Sequence, residues 1–321
     1  MSNLAYFEGV FQSHSPALKK EILDSFLETK HKPNTRRAYE KDLRLFFKAI
    51  APDRELNEIL IREFLGLPTP KAVQLVLYFK HQEKARGLSD ATIERRVSAV
   101  KALVSHARII GLTTITLEDV RSVKIERYRD TTGVDVEVYR QILQAVDTST
   151  LKGKRDNAIL RLLWTNALRR NEVVGCDICD FDGEGQRLRI LGKGKSNREW
   201  VDLASGTSAA IVRWLDARGE ANPGAPLFVG LDKAHSPGRL AGSSVYRIVR
   251  SYSQDAGVEK VMSPHRVRHS AITAALDASD SDYRKVQRLS RHADIRTLQI
   301  YDDNRQGHQG EMSNLLEDAL E

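Results

Sequence analysis

The chain has 321 residues, of which 41% are hydrophobic and 29% charged, with two cysteines and a formal net charge of +7. That length predicts two domains. The composition excludes wholesale disorder and a disulfide scaffold, and no apolar run approaches the roughly 18 residues that a membrane span needs.

The opening MSNLAYFEGVFQSH lacks a basic segment followed by an apolar one, so no secretory leader is expected there. The charge is unevenly distributed. Residues 1–130 carry 23 Lys/Arg against 17 Asp/Glu, and residues 131–301 carry 26 against 20, so each stretch has a net charge of +6. Residues 302–321 hold six acids and one base, Arg305. Two basic bodies with an acidic tail suit a polyanionic partner, although solvated surface charge gives the same count.

The first hundred residues predict helices. Ala17–Lys30 has Leu18, Ile22, Leu23, Phe26 and Leu27 at helical spacing. Pro33 and Asn34 read as a break, with Asn34 capping a second helix, Thr35–Ile50, whose apolar face is Tyr39, Leu43, Phe46 and Phe47. Its other face carries Arg36, Arg37, Lys41 and Arg44. A short helix follows at Leu56–Leu65. Another runs from Thr69 to about Arg86, and a third covers Asp90–Ile110 with Arg95, Arg96 and Lys101 on its basic face. No strand signal occurs before about residue 115. The expectation is a short tail at 1–14, an all-helical domain at 15–112 and a basic linker at 113–133.

A second domain is expected at 134–301. Helices near Val134–Val146 and Arg155–Asn166 open it. Three short strands follow, at Cys176–Phe181, Arg187–Leu191 and Glu199–Leu203, separated by Asp182-Gly-Glu-Gly185 and Gly192-Lys-Gly-Lys195 turns. Helices return at about 206–218, 242–255, 264–278, 282–290 and 294–301. The fold class is therefore mainly α with a small antiparallel β-sheet.

Four clusters in the second domain carry chemistry. They are Thr165–Glu172 with Arg169 and Arg170, the glycine turn around Lys193, His265-Arg-Val-Arg268-His269, and His292 followed nine residues later by Tyr301. Arginine forks, histidines and a lysine can surround a phosphate, and a tyrosine can attack phosphorus and hold it covalently. A phenol of pKa about 10 is only ~0.1% ionised at pH 7, a deficit a cationic cage could offset. Alone, each cluster reads more readily as surface or core than as catalytic; their order and spacing carry the functional reading. Cys176-Asp-Ile-Cys179 has no second pair, and on a strand its thiols would point to opposite faces. Neither metal nor redox use is expected.

With these motifs the chain resembles the tyrosine recombinase (phage integrase) family. Ala-Leu-Arg169-Arg-Asn-Glu172 stands where the family has roughly T-G-L-R-x-x-E. Gly192-Lys193-Gly194-Lys195-Ser-Asn-Arg198 resembles its G-K-G-x-K-x-R hairpin with one extra residue. His265-Arg-Val-Arg268-His269 matches H-x-x-R-H, and Leu289-Ser-Arg-His292 with Thr297-Leu-Gln-Ile-Tyr301 matches the last box. The chain departs from the family at Ala167 and Arg291, each in place of glycine, and at Asp202, where proline is common.

The resemblance implies a helical core-binding domain, SAM-like, ahead of a mixed α/β catalytic domain. It implies site-specific DNA recombination or integration through a 3′-phosphotyrosine intermediate and a Holliday junction. Tyr301 would be the nucleophile, Arg169 and Arg268 the phosphate clamp, His265 and His292 hydrogen-bonding partners, Lys193 the general acid and Glu172 a support. Arg170 and Lys195 are second choices. The energy kept in the phosphotyrosyl link means that no cofactor and no metal is implied. Partners would be double-stranded DNA with specific sites, contacted through Arg36, Arg37, Lys41, Arg44, Arg95, Arg96 and Lys101, and further copies of the chain, as a tetramer in the synapse, with accessory proteins possible. The acidic tail 302–321 would dock on a neighbouring protomer through Leu315, Leu316 and Leu320. A cytoplasmic, nucleoid-associated location follows, with no membrane partner. The rival readings are a type IB topoisomerase-like nicking-closing enzyme, a non-catalytic DNA-binding regulator and a general nuclease.

Overall fold

The apolar spacing read along the first hundred residues closes into a bundle of helices: α1 (Ile22–Glu28), α2 (Pro33–Ile50), α3 (Glu58–Leu65), α4 (Thr69–Ala85) and α5 (Asp90–Ile109). The computed structural model describes residues 22–122, 133–192, 194–219, 222–231, 238–298, 313–314 and 316–320. These fall into two compact units, the first ending and the second beginning within 123–132. Leu18 and the start of the first expected helix lie outside the described residues.

In the first unit Phe46 of α2 sits at the centre of an aromatic cluster, with edge-on neighbours Phe64 at 5.2 Å and Phe79 at 5.4 Å. Pro33 does not break the chain as the sequence suggested. It occupies the first turn of α2, where a missing N–H costs nothing, and the N-cap is Lys32, not Asn34. Asn57 does cap α3, accepting the Leu60 N–H at 2.9 Å. Gly111, after α5, has a φ of +74°, the left-handed value expected just past a helix end. Residues 113–120, read from the sequence as the start of the linker, pack on this core. Ile115, Leu117 and Val120 are buried, and the Thr113 hydroxyl donates to the Leu65 carbonyl at 2.6 Å.

Among the described residues of this unit three carboxylates are buried, and each is paired with a base. Asp42 pairs with Arg95, Glu83 with Arg96, and Glu94 with Lys80 at 2.5 Å. Burial pushes the Asp42 carboxyl up, against the opposing charge of Arg95.

The second unit is built on α7 (Leu151–Thr165), flanked by α6 (Val136–Gln144) and followed by α8 (Arg170–Val174). A three-stranded antiparallel sheet follows, in the order β1 (Phe181–Asp182), β2 (Arg187–Leu191), β3 (Arg198–Asp202). Leu188 and Ile190 of β2 face the core, and Arg189 opposes Trp200 outside. Helices α9 (Ser205–Arg218), α10 (Gly242–Asp255), α11 (Pro264–Ala278) and α12 (Tyr283–Ser290) complete it. Trp214 of α9 is fully buried and donates to the Leu227 carbonyl at 2.9 Å. Tyr139 of α6 stacks on Trp164 of α7 with ring centres 4.1 Å apart. A smaller apolar cluster of Ala167, Ala271, Ile272, Leu276, Val286 and Leu298 lies between α11 and α12.

The strand expected at Cys176–Phe181 is corrected. Ile178–Asp180 is a 3₁₀ turn, held by the Asp177 N–H donating to Asp180 Oδ2 at 2.9 Å, and only Phe181 and Asp182 pair as strand. Aspartate side chains bonding to nearby backbone compete with a ladder. Of the helix expected at 294–301, residues 296–298 are helical and 299–301 lie outside the described residues. No helix among the described residues is long and apolar enough to cross a membrane.

Candidate active site

Four segments distant in sequence meet near the ends of α7, α11 and α12. The first is the turn after α7. That helix ends at Thr165, and Ala167 takes a left-handed φ of +45°. This is the position after a helix cap where glycine is favoured, and a Cβ there costs about 1–2 kcal/mol. The turn delivers Arg169 as the N-cap of α8. Arginine has no short oxygen for capping, so Glu172 reaches back and accepts the Arg169 N–H at 2.8 Å. Its other oxygen accepts from Arg169 Nη1 at 2.8 Å.

The second segment is α11. Ser263 caps it, accepting the Arg266 N–H at 3.2 Å, and Pro264 holds its first turn. His265 lies exposed in that turn. Arg268, one turn on, is buried, with 3% of its surface exposed. Its guanidinium donates to the carbonyls of Ala167 and Ser290 and lies 3.3 Å from His292 Nε2.

The third segment is the end of α12. Arg291 is its left-handed cap, at φ +56° and ψ +39°. The two positions where the family pattern has glycine both take a left-handed backbone at a helix end, and in this chain both carry a Cβ. The Arg291 guanidinium donates to Glu172 Oε2 at 3.1 Å, to the Asn166 carbonyl at 3.2 Å and to the Leu289 carbonyl at 2.7 Å. His292 follows, its carbonyl accepting from Gln287 Nε2 at 3.0 Å.

The electrostatics follow from this packing. Burial, then the charges of Arg268, Arg169 and Arg291, push the His292 imidazole down to about 4, so it is neutral at pH 7. Burial would raise the Glu172 carboxyl, but the Arg169 N–H and the charges of Arg291 and Arg169 outweigh it and hold it below the usual range. Three guanidiniums, one carboxylate and one neutral imidazole leave the cluster cationic. That suits a phosphate diester, whose oxygens gain charge in the transition state.

The fourth segment is the hairpin. Asn166 Nδ2 donates to the Asp202 carbonyl at 2.7 Å, tying the end of β3 to the arginine turn. Lys193 at the tip and Tyr301 lie outside the described residues. Lys195 pairs with Glu199 of the same hairpin, Arg170 is exposed, and Leu298, three residues before Tyr301, is fully buried. Among the described residues no group of three or more His, Cys, Asp or Glu is placed to hold a metal. Cys176 is buried and its thiol is pushed up to about 12, foremost by burial; Cys179 is exposed, and both are free. The backbone carbonyls of Ala167 and Ser290, which orient Arg268, leave no sequence signal.

The residues proposed from the sequence for the DNA-facing side of the first unit divide into two sets. Arg36, Arg37, Lys41, Arg44 and Arg95 are exposed, Arg44 pairing with Glu40 at 2.8 Å. Arg96 and Lys101 are turned inward, to Glu83 and the Val120 carbonyl.

Comparison with known proteins gives the family and the fold. Residues 133–308 match the phage integrase family, and residues 23–111 match the phage integrase N-terminal SAM-like domain. The chain is 46% identical over 303 residues to the tyrosine recombinase slr0733 of Synechocystis sp., covering 94% of this chain and 96% of that one. It is 30% identical over 301 residues to the tyrosine recombinase XerC of Corynebacterium glutamicum, covering 91% and 90%. Among solved structures, the XerH site-specific recombinase bound to its difH substrate aligns with a TM-score of 0.66 at 20% identity, covering 88% of this chain and 80% of that one. A lambda integrase dimer bound to a COC′ core site aligns at 0.65 with 13% identity, covering 89% and 95%, a likeness of fold. The fold and the family are those of a DNA strand-transferring enzyme. The chain belongs to the phage integrase family, the tyrosine recombinases.

Proposed function

We propose that the protein recombines specific DNA sites by two transesterifications at one phosphate. In the first, the Tyr301 oxygen bonds to phosphorus, the bond to the 5′ oxygen breaks, and a 3′-phosphotyrosyl link forms. Lys193 supplies the proton that the leaving 5′-hydroxyl takes, and His265 accepts the proton of the attacking phenol. In the second, a 5′-hydroxyl from another strand attacks the same phosphorus and releases Tyr301. No bond energy is lost between the steps, so no ATP is consumed. Arg169 and Arg268 bind the non-bridging oxygens, and neutral His292 donates a hydrogen bond to them without adding charge.

The observation that carries this reading is the convergence of Arg169, Arg268 and His292 from three separate segments, with Arg268 3.3 Å from the imidazole. A protein that only binds DNA has no need to orient these groups on one another. We assign DNA binding to both units, with a helical domain at 15–112, onto which residues 113–120 pack, and a catalytic domain at 134–301. In the first unit the exposed Arg36, Arg37, Lys41, Arg44 and Arg95 supply phosphate contacts. Arg96 and Lys101 hold that surface together from inside. Four protomers would exchange strands pairwise through a Holliday junction. The tail would dock on a neighbour, a role that the 70% and 84% exposure of Leu316 and Leu320 supports.

The rival nicking-closing reaction uses the same groups on a single duplex. A supercoiled plasmid carrying two copies of a duplex enriched by the protein from a random-sequence pool separates the two. Recombinant products are expected; relaxation without exchange would favour the rival.

A further inference from the structure

We propose that Arg291 is a positioning residue of the cleavage site, tying Glu172, and through it Arg169, to the turn that presents His292. Arg291 occupies a left-handed helix cap, a conformation disfavoured for any side chain but glycine. It also places a guanidinium where 11% of the side chain is exposed, which is costly unless that charge is paired. Two local costs at one residue persist only where the surroundings reward them.

The reward is a bridge between segments more than a hundred residues apart. One end of the fork takes the carbonyls of Leu289 and Asn166, at 2.7 and 3.2 Å. The other takes Glu172 Oε2 at 3.1 Å and reaches the Ala167 carbonyl at 3.5 Å. Glu172 in turn holds the Arg169 backbone and guanidinium, each at 2.8 Å. Ala167 O also accepts from Arg268. Arg291 thus shares one partner with each of the two arginines assigned to the phosphate. Both ends of its fork are engaged, so it acts through Glu172 and not on the phosphate. A lysine could not span these partners, because its single ammonium lacks the planar fork.

The inference rests on the assignment of Arg169 and His292 to the phosphate, and two readouts keep the two claims apart. The first is the histidine titration of the free protein followed by NMR in wild type and Arg291→Gly. Among the described residues, Arg268, Arg169, Arg291 and Glu172 are charged groups that act on His292. Loss of one cation should raise its midpoint. The second is the single-turnover rate of covalent adduct formation on a nicked suicide duplex taken from the enriched pool. Arg291→Gly, which relieves the left-handed backbone, should fold with an unchanged melting temperature and bind DNA as wild type does. Its cleavage should be slowed about 10- to 100-fold, since small misplacements of clamp groups cost that much. Arg291→Lys should recover less than a tenth of the lost rate. An unmoved His292 midpoint, or an adduct rate within twofold of wild type, would overturn the inference. A wild type that forms no adduct would instead contradict the proposed reaction, and the titration would still decide whether Arg291 organises the cluster.

Discussion

His292 ties stability to pH in a direction that the structure fixes. Its imidazole has a midpoint of about 4 in the folded protein, against 6.5 as its ordinary value, because burial and three arginines disfavour the charged ring. The unfolded chain therefore binds a proton between pH 6.5 and 4 that the folded protein refuses. Stability from this group is complete above pH 6.5, falls as pH drops through that interval, and is lost below 4. The ring is partly exposed, so solvent screening reduces the effect to the order of 1–2 kcal/mol. Urea unfolding of the full chain at pH 4 to 7.5, in wild type and His292→Gln, isolates it as a difference between the two proteins. Wild type should lose about 1–2 kcal/mol relative to the variant as pH falls from 6.5 to 4. A difference that is constant with pH, or that changes in the opposite direction, would refute the packing of Arg268, Arg169 and Arg291 around a neutral imidazole.

Other substitutions probe the remaining contacts. Arg268→Lys keeps the charge but loses the planar fork that donates to the carbonyls of both Ala167 and Ser290. It should cost about 1–3 kcal/mol, read as a lower melting temperature, and slow adduct formation about 10²- to 10³-fold. Ile115→Ala should cost about 2–5 kcal/mol in chemical unfolding, because Ile115 is buried in the first core; a cost below about 0.5 kcal/mol would make residues 113–120 a free linker.

The parts of the fold that were legible in the sequence are those set by local periodicity. The aromatic face of α2 and the strands β2 and β3 follow from residues a few places apart, and so does the pairing of His265 and Arg268 on one helix. What escaped depends on partners far away in sequence. The 113–120 stretch looks polar and aperiodic, yet Ile115, Leu117 and Val120 find a core already built by α2 to α5. Arg96 reads as part of a basic helix face, but Glu83, thirteen residues earlier, is buried and takes its charge inward. Arg291 read as one more cation beside the cage. That its fork would grip Glu172 depends on the left-handed cap of α12 facing the turn after α7, and no spacing in the sequence encodes that. Ala167 reads as a departure from glycine; its φ of +45° shows that the backbone requirement stayed when the residue changed.

The central claim is that a tyrosine at position 301 takes the phosphate onto the protein within this cationic cage. The direct measurement is the covalent protein–DNA adduct formed on a nicked suicide duplex from the enriched pool, resolved by denaturing electrophoresis. Wild type should trap the DNA through its 3′ end, and Tyr301→Phe should bind the duplex equally well and trap none. An adduct formed at the wild-type level by Tyr301→Phe would contradict the account.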